Sequence, residues 1–174
     1  MRRAVGSIQV FTFKEGLMSA VAHDLRLALR SFEITLEGTA LAGVFDLTSL
    51  AVEGPMQDGR LRAERYDDAK RADVEKAMHG EVLHTKEHPR ATFTGSAIAS
   101  DEQGSSYQVS GQLQLVGKSQ PLSFEVRRDD QGTYRCAFEL TPSRWGISQY
   151  KALLGAIKLK DVLRIELALS EPPA

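Results

Sequence analysis

Asp24-Leu25-Arg26-Leu27-Ala28-Leu29-Arg30-Ser31-Phe32-Glu33-Ile34-Thr35-Leu36-Glu37 is the stretch that decides the fold. Leu25, Leu27 and Leu29 alternate with Arg26 and Arg30, and Phe32, Ile34 and Leu36 then alternate with Glu33 and Glu37. Successive side chains of a strand point to opposite faces, so a period of two marks a half-buried strand. The apolar positions are odd up to Leu29 and even from Phe32 onward. A strand cannot exchange faces without an extra residue, so a bulge or sharp bend is expected at Arg30-Ser31. Gly38 closes the run.

The same alternation extends in both directions. Toward the N-terminus, Ser7 to Lys14 places Ile8, Val10 and Thr12 on one face and Phe11 and Phe13 on the other. Downstream, Ala40 to Leu47 leads into Leu50-Ala51-Val52, and Ala91 to Ala99 carries Phe93. Tyr107 to Val116 carries Val109, Leu113 and Leu115. Further strands hold Leu122, Phe124 and Val126, then Tyr134, Cys136, Phe138 and Leu140, and last Val162 to Leu169. Turn-forming clusters separate them at 100–104, 117–121 and 129–132. One stretch is helical instead: Asp67 to His79 is polar, with Val74 and Met78 on one stripe, an N-cap at Asp67 or Asp68, and Gly80 as expected C-cap. A second short helix is expected at Ser148 to Ile157, where Tyr150, Leu153, Leu154 and Ile157 share a face.

About eight hairpin-connected strands with one inserted helix exclude a βαβ architecture and leave an all-β sandwich or an up-and-down barrel. Closure would remove exposed strand edges, and eight strands enclose room for side chains or for one small ligand.

Composition narrows the functional classes. The length of 174 residues is about that of one domain, placed here at 1–170, with Glu171-Pro172-Pro173-Ala174 as a frayed tail. The 22 basic and 23 acidic residues are interspersed without a basic stripe, so no nucleic acid is expected as a partner. Met1-Arg2-Arg3 starts like a signal peptide, but Gln9, Thr12, Lys14 and Glu15 interrupt any apolar core, and a cytoplasmic location is expected. The lone Cys136 has no partner for an intrachain disulfide.

Motifs of covalent chemistry are missing: no nucleophile elbow, P-loop, dinucleotide-binding glycine pattern or zinc signature occurs, and no cofactor or catalytic residue is expected. His84 and His88 stand four apart, yet Gly80 and Pro89 argue against a helix presenting both to a metal. His23-Asp24 reads as a turn or capping pair, with a polar contact to a ligand head group as the alternative. Tyr150 to Lys158 is apolar between lysines. It reads either as a lid or transient membrane-surface contact, with Lys151, Lys158 and Lys160 available to a pyrophosphate, or as an ordinary packed connection.

Three segments carry a family likeness. They are Ala20-Val21-Ala22-His23-Asp24-Leu25; Lys70 to Glu75 followed by Leu83 to Phe93 with its His88-Pro89 pair; and Gly111 to Leu122 together with Ser143-Arg144-Trp145-Gly146-Ile147. In this order they resemble the YceI-like family. The likeness implies a closed, antiparallel lipocalin-like β-barrel that binds an isoprenoid or similar amphiphilic lipid without catalysis. Two departures are expected: the N-terminal residues do not read as the leader typical of periplasmic members, and Gly80-Glu81-Val82-Leu83 stands where paired phenylalanines are frequent. On this reading Phe11, Phe13, Leu27, Phe32, Phe93, Phe124, Phe138, Trp145 and Leu154 are the candidates to line the ligand cavity. The competing reading is a filled barrel acting as an interaction or structural protein, with a homodimer possible under either.

Overall fold

The change of face at Arg30-Ser31 is where the sheet bends. In the structure, a computed structural model that describes residues 2–16 and 23–171, the strand ends at Leu29 and resumes at Phe32. The strands are β1 (Arg2–Arg3), β2 (Val5–Lys14), β3 (Asp24–Leu29), β4 (Phe32–Glu37), β5 (Ala40–Asp46), β6 (Leu50–Gln57) and β7 (Arg60–Leu61). They continue with β8 (Arg90–Ala99), β9 (Ser106–Leu115), β10 (Lys118–Arg128), β11 (Tyr134–Leu140), β12 (Lys151–Ala152) and β13 (Ile157–Ser170). Among the described residues all join one curled antiparallel sheet, in the order β1-β4-β5-β8-β9-β10-β11-β13-β2-β3-β6-β7, with β12 hydrogen-bonded to β13.

Register explains the parity switch. Ile8 faces Leu29 and Arg3 faces Thr35, so the second strand spends one residue more than the first between these pairs. The extra residue is the bulge expected at Arg30-Ser31, and it bends both strands. The neighbouring chain bends beside it through a 3₁₀ turn at Leu47–Ser49. There the Thr48 amide and hydroxyl both donate to the Asp46 carboxylate at 3.0 and 2.6 Å, and the Ser31 amide donates to Ser49 Oγ at 2.8 Å. These local bonds satisfy backbone that the ladder abandons at the bend.

The inserted helix α1 (Asp68–Ala77) begins as the sequence indicates, with the Asp67 carboxylate accepting from the Lys70 amide at 2.8 Å. Its end differs from the expectation. Gly80 is not the cap; the chain runs on through a π turn, Met78–Val82, and closes at Leu83, whose amide donates to the Met78 carbonyl. The wider turn aims His79 at the edge of β6: Nε2 donates to the Leu50 carbonyl at 3.0 Å, which fixes the proton on that nitrogen. One turn earlier, the Glu75 carboxylate accepts from the Val52 amide at 2.8 Å. Two helix side chains thus stand in for a neighbouring strand at Leu50 and Val52, while β7 pairs with β6 only at Met56 and Gln57. Beneath the helix, Leu25, Leu27, Val52 and Tyr66 form a core with Val74 and Met78 packed on it.

The helix expected at Ser148 to Ile157 is not formed. Lys151 and Ala152 pair instead with Lys158 and Ile157, and a 3₁₀ turn at Leu153–Gly155 makes the tip of this hairpin. Gly155 and the pull of β13 pairing outweigh the amphipathic spacing of a short segment. Of the tail at 171–174, Pro172 to Ala174 lie outside the described residues.

Replacing Glu75 with Ala leaves the buried Val52 amide without its acceptor. The expected outcome is a loss of about 1–3 kcal/mol in urea unfolding. Faster hydrogen exchange at Val52, with the β8–β11 amides unaffected, would locate the loss at the β6 edge.

Candidate functional site

Inward-facing positions of the sheet surround a cavity of about 600 Å³. Ile8 and Val10 of β2, Ile34 and Leu36 of β4, and Phe45 of β5 form one part of its wall. Phe93 of β8, Val109 and Leu113 of β9, Phe124 of β10, Phe138 of β11 and Ile165 of β13 form the rest. Among the described residues, the lining side chains with a polar atom are Tyr107, Tyr134, Cys136, Ser170 and Glu171.

The two ends of the cavity differ. At one end the lining residues Leu47, Ala91, Leu113, Leu115, Leu140 and Ile147 are buried. Trp145, 1% exposed, seals this end from behind, its indole N–H donating to the Leu113 carbonyl at 2.8 Å. At the other end Leu36, Tyr107, Val126 and Tyr134 are only partly covered, and the lining runs out to exposed Glu171. Tyr107 and Tyr134 meet edge to face there at 5.9 Å, with the Arg128 guanidinium 5.8 Å from the Tyr134 ring centre. Apart from Cys136, the polar lining atoms belong to this mouth.

Glycines hold the interior open. A Cβ at Gly43 would lie 2.7 Å from the end of the Phe45 ring, and one at Gly111 would lie 2.7 Å from the end of the Phe93 ring. Each ring therefore leans along the wall over a glycine instead of crossing the interior. Phe93 reaches over Gly111 toward Phe124 (6.4 Å), and Phe124 stacks on Phe138 at 4.3 Å. The three rings form a continuous aromatic strip on the inner face.

Of the nine residues singled out from the sequence, Phe93, Phe124 and Phe138 line the cavity together. The other six lie elsewhere. Phe11 and Phe13 alternate with the inward-facing Ile8 and Val10, and Phe11 sits on the outer face beside Arg26 and Arg164. Leu27 is buried under α1, and Phe32 packs against that same cluster. Trp145 stands behind the closed end, and Leu154 is fully exposed at the hairpin tip. For Phe11 and Phe13, the parity of Leu29 across from Ile8 carried the signal that they face outward. Ile34, Val109 and Leu113 were missed because an aliphatic residue on an alternating strand does not announce a cavity, and Phe45 was missed although it is aromatic.

The histidines do not converge: His79 is tied to Leu50, while His88 lies beside Gly117. Among the described residues no three His, Cys, Asp or Glu side chains come together as a metal ion requires. No helix among them is long and apolar enough to cross a membrane.

Cys136 is the reactive group within the lining. Burial pushes its thiol up to about 11 from an ordinary 9.0, so it stays protonated through neutral pH. Two pKa units reduce the thiolate about a hundredfold. Reaction with a polar aromatic disulfide at pH 8 should accordingly run about a hundredfold slower than free cysteine, and match it only after denaturation.

Comparison with known proteins follows the same lines as the geometry. The curled sheet resembles that of BcnA from Burkholderia cenocepacia (TM-score 0.64, 18% identity, 94% of each chain covered). It also resembles a polyisoprenoid-binding domain from Saccharophagus degradans implicated in plant cell wall breakdown (TM-score 0.63, 11% identity, 99% of each chain). At these identities the likeness is one of fold. A UPF0312 protein of Pectobacterium atrosepticum is 30% identical over 100 residues, 54% of this chain and 44% of that protein. The chain thus matches less than half the length of this relative. The model of the YceI-like domain matches residues 11–170, nearly the whole sheet with its inserted helix, and the chain belongs to the YceI-like family.

Proposed function

We propose that this protein binds an isoprenoid or similar amphiphilic lipid inside a closed barrel of eight continuous strands, holding or carrying it without covalent chemistry. Two sets of pairings support closure. β1–β2 and β3–β4 are bent continuous strands lying side by side, and β2 pairs on its other edge with β13, the last strand of the series. The remaining walls, β5–β6, β8, β9, β10 and β11, follow one another in chain order. A barrel of this strand number has room for one small ligand.

The observation that carries the reading is the size of the apolar cavity. Left dry, about 600 Å³ at roughly 24 cal/mol per Å³ would cost about 14 kcal/mol. That rivals a domain's entire folding free energy of about 5–15 kcal/mol. Water is a poor filling, because it finds hydrogen-bond partners only at the mouth. A long apolar chain fills the space, each buried methylene contributing about 0.8 kcal/mol, and its polar end meets Tyr107, Tyr134 and Ser170. Membership of the YceI-like family and the fold shared with the Saccharophagus degradans domain favour an isoprenoid.

Native mass spectrometry after detergent-free purification tests this. A one-to-one lipid adduct is expected on the wild-type protein. Gly43→Val should remove it, since the new side chain drives the Phe45 ring into the cavity while the extended backbone at 43 accepts a β-branched residue. Retained β circular dichroism and a cooperative melt would show the variant folded. A bare wild-type mass, with no binding of an apolar fluorophore, would assign the protein to the ligand-free structural class instead.

A further inference from the structure

A second concavity of about 500 Å³ lies at the end of the molecule away from the cavity mouth, and its lining shares no residue with the cavity. Four basic side chains line it: Lys14 from β2, His23 preceding β3, Arg65 from the turn before α1, and Lys70 from the first turn of α1. Pro55, Met56 and Gln57 of β6 and the ring of Tyr66 complete it, and no carboxylate belongs to the lining. The linking residues Leu17-Met18-Ser19-Ala20-Val21-Ala22 contain no acidic residue either. Among the described residues, no ion pair involves the four basic groups.

The like charges of Lys14, Arg65 and Lys70, drawn together around the His23 ring, repel one another, and a fold tolerates this where a counter-charge arrives from outside. We propose that this pocket is a binding site for a phosphate-class oxyanion, held by Lys14, His23, Arg65 and Lys70 with the Tyr66 hydroxyl as a further donor. Burial raises the pKa of Tyr66, so its hydroxyl keeps its proton and can donate. Lys70 stands 5.0 Å from the Tyr66 ring centre, and the His23 ring meets the same ring edge on at 6.1 Å. Aromatic packing thereby fixes the Lys70 ammonium and the His23 ring around one space.

Proton linkage gives the site a signature. In the empty pocket, burial and then Lys70, Lys14 and Arg65 hold the pKa of His23 below 6.5, with the neighbouring Asp24 acting weakly in the opposite direction. A bound anion reverses the sign of the local charge and favours the imidazolium. Binding therefore takes up a proton at His23, and affinity rises as pH falls from the raised pKa of the bound state toward the lowered pKa of the empty pocket. The anion has two possible sources, a free phosphate or the head group of an anionic lipid. The same end of the molecule carries the second source's requirements: exposed Leu153 and Leu154 at the hairpin tip, both held at positive φ (49° and 55°), with Lys151 beside them. Leu159 on that hairpin pairs with Lys14.

Titration of the full-length protein with inorganic pyrophosphate, followed through the ring resonances of the histidines, tests the proposal. Saturable binding with an upward shift of the His23 pKa supports a site for free anion. Binding only to vesicles containing phosphatidic acid, lost on Leu154→Asp, supports a head-group site. In either case Lys14→Gln and Lys70→Gln should each weaken binding about tenfold. Lys76→Gln, on the same helix outside the pocket, should leave it unchanged. Failure of both probes to bind, or equal binding by Lys14→Gln, Lys70→Gln and wild type, overturns the proposal. None of these results depends on whether the apolar cavity holds a lipid.

Discussion

The structure turns on the width of its apolar interior. The inward side chains of the curled sheet leave about 600 Å³ of space between them, so apolar surface that would be buried in an ordinary core faces it. Protein interiors are packed as densely as organic crystals, and a void of this size is far outside what such packing tolerates. The other features of the sheet follow from that constraint. Glycines at 43 and 111 let Phe45 and Phe93 lie against the wall, and the ring strip from Phe93 to Phe138 lines the interior without filling it.

Rigidity comes from elsewhere. Where the sheet bends away from the cavity, Leu25, Leu27, Val52 and Tyr66 make a conventional core under α1. Glu75 and His79 hold the helix to the β6 edge through backbone hydrogen bonds. At the closed end Trp145 is anchored to Leu113, and the Ser143 amide donates to the Asp161 carboxylate at 2.9 Å. The molecule thus separates two tasks: solid packing at its helix-bearing end, and an open apolar wall at the other. The cationic pocket lies at the solid end, apart from the apolar wall.

Much of the fold was legible in the alternation. The bend at Arg30-Ser31 and the cap at Asp67 were readable because each rests on local chemistry, a parity change in one case and a carboxylate before a helical run in the other. Gly80 and the segment 148–157 were misread for a shared reason. Both depend on a distant partner: the π turn exists to bring His79 to Leu50, and Lys151 to Ala152 are recruited by β13. The cavity lining was legible in part. Phe93, Phe124 and Phe138 stood on strands whose inward face is unambiguous once their neighbours are paired. Phe11 and Phe13 sat on a strand apolar on both faces, so only register against Leu25, Leu27 and Leu29 tells the two sides apart. The glycines under the rings were the overlooked signal: Gly43 stands two residues before Phe45 on one strand, and Gly111 lies beside Phe93 of the neighbouring strand, each marking a wall kept clear.

Under the proposed function an apolar chain, and not the protein's own side chains, occupies the interior. A high-resolution crystal structure of protein purified without detergent or organic solvent examines this directly. The expected result is continuous elongated density running from beside Phe138 to the gap between Tyr107 and Tyr134, with the Phe45 and Phe93 rings against the wall. Rings of Phe45 and Phe93 turned inward to close the space, with no density between them, would contradict it.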